Sequence, residues 1–406
     1  MTLPNDVKKI IKILNEHGHG AYVVGGCVRD NLMGIEPSDW DVATSAAPNE
    51  VKKLFGRTVD TGIKHGTVAV VTSGSIVEVT TYRIDGPYHD GRRPSEVFFT
   101  GDLASDLKRR DFTMNAIAYH PETGYADPWG GADDIDKKII RGVGDADLRF
   151  KEDALRMLRA VRFSAATGFI IERATSEAIA ANAGLIKFIS KERIRDELIK
   201  TITAKHPERL TLLVDYGLAG HIHPGLDAYL KKFVGVIAAE LKNCEDFPAL
   251  RLALFFRFAG AEFTNATMRA LRFGNRIINA VAVRSEWIDK KIEPDGYSVK
   301  KALSILGPGA FDDVIKLKEI AENNNRTNTN ILSEIKNRVT NDAECYSLNT
   351  LAVTGADIIS HTGLRGSEIG EALRFLLDEA MKDPGVNNKK TLLTILSRAF
   401  SSPPRP

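Results

Sequence analysis

The spacing of apolar residues changes once along this 406-residue chain, near residue 147, and that change dictates a mixed α/β head followed by an all-α body. Before it, short apolar runs alternate with glycine, proline and polar punctuation. After it, apolar residues recur at helical spacing over 151–166, 174–182, 190–204, 206–216, 227–242, 246–259 and 264–289, then again between about 298 and 400. The breaks are short: Gly168, Gly184, Gly217, Pro224-Gly225 and Gly274. No regular repeat accompanies them.

Within the head, a helix is predicted over 5–17, then a strand at Ala21-Tyr22-Val23-Val24 that ends at Gly25-Gly26. A short helix follows, from near Val28 to Gly34. Asp39–Val42 reads as a second strand, and Pro48 opens a helix through Phe55, because proline suits a first helical turn. Two β-rich runs, 66–72 and 75–82, are split by Ser73-Gly74. Residues 84–95 hold two glycines, two prolines and several charges, which predicts a mobile loop. Residues 401–406 read as a disordered tail.

The net charge of +2 neither demands nor forbids a nucleic-acid partner; an RNA binder of this charge must gather its basic residues on one face. Cys27, Cys244 and Cys345 lack metal-ligand or redox spacing, so they predict neither a zinc site nor a disulfide framework. Lysines interrupt the apolar residues of 2–14, unlike a signal peptide, and no stretch nears the roughly 20 apolar residues of a membrane span. A soluble, cytoplasmic protein is expected. No Gly-x₄-Gly-Lys-Ser/Thr occurs, which excludes a P-loop nucleotidase. His221-x-His223 has no carboxylates nearby and reads as structural, and nothing points to a fused phosphohydrolase.

Four clusters carry chemistry. Asp39 and Asp41, at i and i+2 of the expected strand, would share one face, with Trp40 on the other. Such carboxylates can hold two Mg²⁺ ions about 3.5–4 Å apart, together with triphosphate oxygens and water. Gly25-Gly26, between strand and helix, lets backbone N–H groups approach phosphate, and Arg29 adds a planar fork. Glu78, in an apolar-flanked strand, is either a third metal carboxylate or an orienting partner for Arg29. Arg109-Arg110 suits phosphate or ribose contact. Asp153, Arg156, Arg159 and Arg162 recur every third residue of an expected helix, a stripe that drifts about 60° per step. Taken singly, each pattern also occurs on ordinary solvated surfaces; their weight lies in their company.

Together the segments GGCVRDNLMG, SDWDVATSA, EVTTYR, DLKRRDFTMNA, DPWGG and EDALRMLRAVRF resemble the class II tRNA nucleotidyltransferase family. That family comprises CCA-adding enzymes and bacterial poly(A) polymerases, within the DNA polymerase β superfamily. SKERIRDELIKTI is similar to its later helical motif. The resemblance covers 22–203, in family order; beyond it the chain matches only in being helical. It implies a polymerase β-like nucleotidyltransferase head over 1–146, a base-recognition neck over 147–225, and a body and tail over 226–400 that binds tRNA. Asp39 and Asp41 would be the metal carboxylates, Gly26 and Arg29 would contact the triphosphate, and Arg109 and Arg110 would grip the nucleotide. Asp153 and Arg156 would read the base, with Arg159 and Arg162 supporting them or binding phosphate. The implied partners are Mg²⁺, ATP, CTP and the 3′ end of tRNA, with the protein a monomer or homodimer.

Base reading also has a physical logic. Cytosine and adenine both present an amino donor beside a ring acceptor. Asp153 can only accept and Arg156 can only donate, so the pair suits both bases. Uracil and guanine present the reverse order, and each unpaired buried group would cost about 1–3 kcal/mol. With that base choice, the resemblance implies ordered addition of C, C and A as the expected activity. Its rivals are a poly(A) polymerase, a partial CC- or A-adding enzyme, and a non-catalytic RNA-binding protein. A near-neutral chain with a short polar tail speaks against the first. A full-length 84–95 loop speaks against CC-only addition, and intact Asp39 and Asp41 speak against the last.

Overall fold

A computed structural model describes residues 1–86, 96–245, 247–322 and 327–400. It divides into two compact units, one of residues 1–242 with 270–272, the other of 243–269 and 273 onward. Among the described residues no helix is long and apolar enough to cross a membrane.

The first unit opens with helix α1 (Asn5–Glu16), which buries Val7, Ile10, Ile11 and Leu14, one helical face. Strand β1 (Ala21–Val24), helix α2 (Gly26–Leu32), strand β2 (Asp41–Thr44) and helix α3 (Pro48–Leu54) follow. Then come β3 (Thr58–Gly62), β4 (Thr67–Val71) and β5 (Ile76–Thr81). After β6 (Arg83–Asp85), β7 (Val97–Phe99) and helix α4 (Leu103–Lys108), the short strands β8 (Ala118–His120) and β9 (Gly124–Ala126) complete the head's main sheet. Its order is β3-β4-β5-β2-β1-β8-β9. Every neighbouring pair is antiparallel except β2–β5, which is parallel with Asp41 opposite Glu78.

Strand β2 starts at Asp41, so Asp39 lies in the bend before it, and the same-face argument for the two aspartates does not hold. The reason is the length of β1. Val23 pairs with Val42, and β1 stops at Val24, leaving residues 39 and 40 without a ladder partner there. The expected loop also starts too early at 84. Arg83–Asp85 pairs antiparallel with Val97–Phe99 as a separate two-stranded ribbon. Residues 87–95 of that loop, and the 401–406 tail, lie outside the described residues.

Helix α5 (Gly131–Asp136) shows what the DPWGG segment does. Both carboxylate oxygens of Asp127 accept backbone N–H bonds, from Gly131 (2.7 Å) and Ala132 (2.8 Å), fixing the helix start. Strand β10 (Ile139–Ile140) then leads to helix α6 (Ala146–Glu152) and helix α7 (Leu155–Thr167). The single helix expected over 151–166 is thus two, broken at Asp153, whose backbone is extended and whose side chain accepts from Leu155 N–H at 3.1 Å. Helix α7 is buried on nearly every side, Arg156 included. Strand β11 (Ile170–Ile171), parallel to β10, interrupts the otherwise helical run. Helices α8 (Arg173–Asn182), α9 (Lys191–Ile202), the short α10 (Leu212–Asp215) and α11 (Ala219–Ile222), and α12 (Leu226–Lys242) finish this unit.

The second unit is helical among its described residues. It comprises α13 (Pro248–Phe255), α14 (Gly260–Ala270), α15 (Asn275–Ile288) and α16 (Gly296–Ala321), which kinks at Gly307-Pro308. Helices α17 (Thr327–Asn341), α18 (Gly355–Thr362), α19 (Ser367–Lys382) and α20 (Lys389–Ala399) follow. Trp287, Val299, Phe311 and Val314 centre one core, and Ile358, Leu376, Leu392 and Leu396 another.

Gly131 packs without room for a methyl group: a Cβ there would lie 2.2 Å from the Thr113 carbonyl oxygen. Gly131→Ala should therefore cost about 1–3 kcal/mol of stability, read as a lower urea midpoint. An unchanged midpoint would contradict this account of the turn.

Candidate active site

The site begins where the end of β1 meets the start of β2, which their antiparallel pairing brings side by side. Gly25-Gly26 thereby arrives next to Asp41. Gly25 has φ 78°, and a Cβ on it would lie 3.0 Å from Arg110 Nη1. A side chain would be strained there and would displace that guanidinium. A Cβ on Gly26 would stand 3.6 Å from Arg29 Nη2, so Arg29 folds back over the start of its own helix.

These groups open onto a cavity of about 730 Å³, within the size range of small-molecule sites. Ten residues singled out from the sequence line it: Gly25, Gly26, Arg29, Asp41, Arg109, Arg110, Asp153, Arg156, Arg159 and Arg162. Asp39 and Glu78 do not. Eight arginines and four aspartates make up its charged lining, with no lysine. That balance suits a polyanion.

Of Asp39, Asp41 and Glu78, Asp41 is the one that lines the cavity. Loss of bulk water around it raises its carboxyl above the usual range, and the nearby charges of Glu78 and Asp39 add to the shift, against Arg110. Negative charge is thus gathered on hard oxygen donors, the chemistry that Mg²⁺ satisfies. Among the described residues no three His, Cys, Asp or Glu side chains form a metal cage. Mg²⁺ is usually held by one or two carboxylates plus phosphate oxygens and water. Asp41 and Asp39 are the residues that would hold it. Glu78 is exposed beside Asp41 and does not orient Arg29, whose partners are Asp30 (2.7 Å) and Asn115 (2.7 Å). Under the same edge, Cys27 is buried and bonds the Val24 carbonyl; burial pushes its thiol up to about 11.

Acids hold the arginines of the wall in place. Asp106, fully buried at the end of α4, accepts from Arg109 (2.8 Å) and Arg110 (3.1 Å). Burial opposes its ionisation, yet the two guanidiniums together hold its carboxyl below the usual range. Arg159 donates to the buried Asp111 at 2.7 Å, and Arg162 pairs with Glu197 of α9 at 3.0 Å. The Phe163 ring sits among them, 5.1, 5.3 and 4.1 Å from the guanidinium carbons of Arg29, Arg159 and Arg162. In such desolvated surroundings a guanidinium over a ring gains about 1–2 kcal/mol.

Asp153 and Arg156 both line the cavity but do not pair with each other. Asp153 receives Arg193 Nη2 from α9 at 2.7 Å. Arg156 donates to Glu152 (2.9 Å) and to the Arg109 carbonyl (2.7 Å). Among the described residues its Nε–H and one Nη2 hydrogen remain for a ligand. Sequence reasoning missed Asp106, Asp111, Asn115, Arg193 and Glu197. Asp111 and Asn115 stand inside the quoted DLKRRDFTMNA segment; only the fold shows that they bind arginines. His221, by contrast, is exposed, within the four-residue helix α11.

Asp111 offers a pH test. Burial would raise its carboxyl, but Arg159, Asn115 and Arg156 overcome this and hold it well below the usual carboxylate range. Its contribution is complete above the unfolded value of about 3.9 and is lost as pH falls further toward the lowered one. Asp111→Asn should cost about 3 kcal/mol near pH 7, or somewhat less because Arg159 is one-third exposed. The gap from the unmodified protein, followed by urea titration, should narrow below pH 4. A gap constant from pH 7 to pH 2 would rule the pairing out as the cause.

Comparisons with known proteins bear on this geometry. Residues 21–141 match the family described as "Poly A polymerase head domain", and 168–230 match "Probable RNA and SrmB- binding site of polymerase A". The chain is 43% identical over 310 residues to the CCA-adding enzyme of Geobacillus thermodenitrificans, spanning 73% of this chain and 75% of that one. It is 33% identical over 412 residues to that of Ligilactobacillus salivarius, across 96% of each. Its structure matches that of the Bacillus stearothermophilus CCA-adding enzyme in complex with CTP, with TM-score 0.83 and 33% identity over 99% and 98% of the two chains. With the glycine turn, the aspartate at the strand edge and the arginine-lined cavity in one unit, the chain belongs to the CCA-adding enzymes, a family of nucleotidyltransferases.

Proposed function

We propose that this protein adds C, C and A in turn to the 3′ end of tRNA from CTP and ATP, without a nucleic-acid template, releasing pyrophosphate. One observation carries the reading: a single cavity has Asp41 and the glycine turn in its wall together with Asp153 and Arg156. One nucleotide can therefore be held by its triphosphate and read by its base at the same time. Mg²⁺ held by Asp39 and Asp41 would supply Lewis-acid charge to the attacking 3′ hydroxyl and to the leaving phosphates, by the two-metal arrangement.

The protein's own groups do the rest. Arg29, Arg109 and Arg110 bind phosphate oxygens through hydrogens that their acids leave over, and fix the nucleotide for in-line attack. Asp153 accepts a hydrogen bond from the base amino group, with Arg193 fixing its orientation. Arg156 donates to the ring nitrogen. Uracil and guanine leave both groups mismatched. Residues 1–146 act as the catalytic head, 147–225 as the base-reading neck, and 226–400 hold tRNA through phosphate and shape. The setting is the cytoplasm.

The test is to supply tRNA lacking its terminal triplet with each NTP and to sequence the 3′ ends. CCA endings are expected; long A tails, or products stopping at CC, would overturn the reading. Asp41→Ala should abolish addition, a loss of at least about 10³-fold, while tRNA binding in a filter assay stays intact. Asp153→Ala or Arg156→Ala should relax CTP-over-UTP choice by about ten- to a hundredfold. Unaltered selectivity would remove these residues from base reading.

A further inference from the structure

We propose that Phe163 is a positioning residue for the polyphosphate: its ring fixes the spacing of Arg29, Arg159 and Arg162, so that the three act as one base-independent clamp. The inference rests on the proposed function in taking the clamp's ligand to be the triphosphate of an incoming nucleotide, or the pyrophosphate that leaves.

The three arginines come from two elements, Arg29 from α2 and Arg159 and Arg162 from α7. Their carboxylates, Asp30, Asp111 and Glu197, stand on three separate segments. Each acid anchors one guanidinium; Asp111 reaches Arg29 only through Asn115, and among the described residues no hydrogen bond ties Arg162 to the other two. Like charges this close, in a site short of water, would swing apart unless something between them resists. Phe163 is what lies between, with all three guanidinium carbons within 5.3 Å of its centre. An aromatic face attracts each cation while its bulk keeps them separated.

The ring itself is held. It is 7% exposed, and the fully buried Phe112 meets it edge to face, at 5.8 Å and 85°. The strain of gathering these cations shows on Arg162, whose affinity for its proton is lowered by burial and by Arg159 and Arg29. Hydrogens remain for a ligand. Arg159 commits Nε and Nη2 to Asp111, and among the described residues its Nη1 has no partner. All three arginines line the cavity, and Arg29 does so beside Gly26. That places the clamp by the glycine turn, where phosphate rather than base is expected.

The experiment compares the unmodified enzyme with Phe163→Leu, Phe163→Tyr and a protein carrying pentafluorophenylalanine at 163, which keeps the ring's shape but inverts its quadrupole. The readouts are KM for CTP and ATP, kcat, the inhibition constant of inorganic pyrophosphate, and CTP-over-UTP choice. Phe163→Leu and the fluorinated ring should raise both KM values and the pyrophosphate constant together, by about tenfold, with base choice unchanged. Phe163→Tyr should stay within about threefold of the unmodified enzyme, because it keeps an aromatic face. Effects confined to kcat or to base choice, or a fluorinated ring that behaves as phenylalanine, would overturn the proposal. If Phe163→Leu does not fold, the isosteric fluorinated ring decides alone. An unmodified enzyme that adds neither C nor A would refute the proposed function instead; pyrophosphate binding by calorimetry then tests the clamp separately.

Discussion

The pair formed by the buried Asp111 and the half-buried Arg159 is the tie on which the active-site wall depends. Asp111 follows the arginine pair of the head, and Arg159 stands in the middle of α7. From Asp111 the connection continues through Asn115, which donates to it, to Arg29 and Asp30 beside the glycine turn. Three elements distant in sequence are thus set against one another by one chain of charge-assisted hydrogen bonds. Removing one end would leave a buried charge without its partner, which is costlier than losing an ordinary contact. The same residues therefore maintain the fold and aim the cations.

The wall uses arginine throughout, and this has a physical basis. A guanidinium can give part of its fork to a buried carboxylate and still keep hydrogens for a ligand. A lysine ammonium is a flexible point charge that would have to desert one partner for the other. Arg109 and Arg110 share Asp106, whereas Arg29, Arg159 and Arg162 each have an acid of their own. The cavity is consequently arranged before any nucleotide arrives, and little ordering remains to be done on binding.

Much of this was legible in the sequence where the signal was local. The glycine pair after an apolar run, the proline-started α3 and the helical periods beyond 147 come from turn chemistry and side-chain spacing, and the structure contains them. What escaped depends on partners far away in the chain. Asp39 leaves its strand because β1 ends two residues too soon to pair with it. The helix of 151–166 breaks at Asp153 because that carboxylate caps α7 and meets Arg193, forty residues on. Strands β8 and β9, three residues each, are too short to show alternation. Asp106 and Glu197 look like ordinary helix-surface acids in sequence, yet both are buried by the arginines they hold.

Cys27 stands one residue beyond the glycine pair, close enough to feel the charge of Asp41. A thiolate there would add a soft sulfur donor to a hard oxygen site and invite zinc or copper, which outcompete magnesium wherever sulfur is offered. With its thiol held near 11, the sulfur stays protonated and faces the Val24 carbonyl. The packing that buries this side chain and bonds it to the strand thus keeps the thiol in its neutral form beside Asp41.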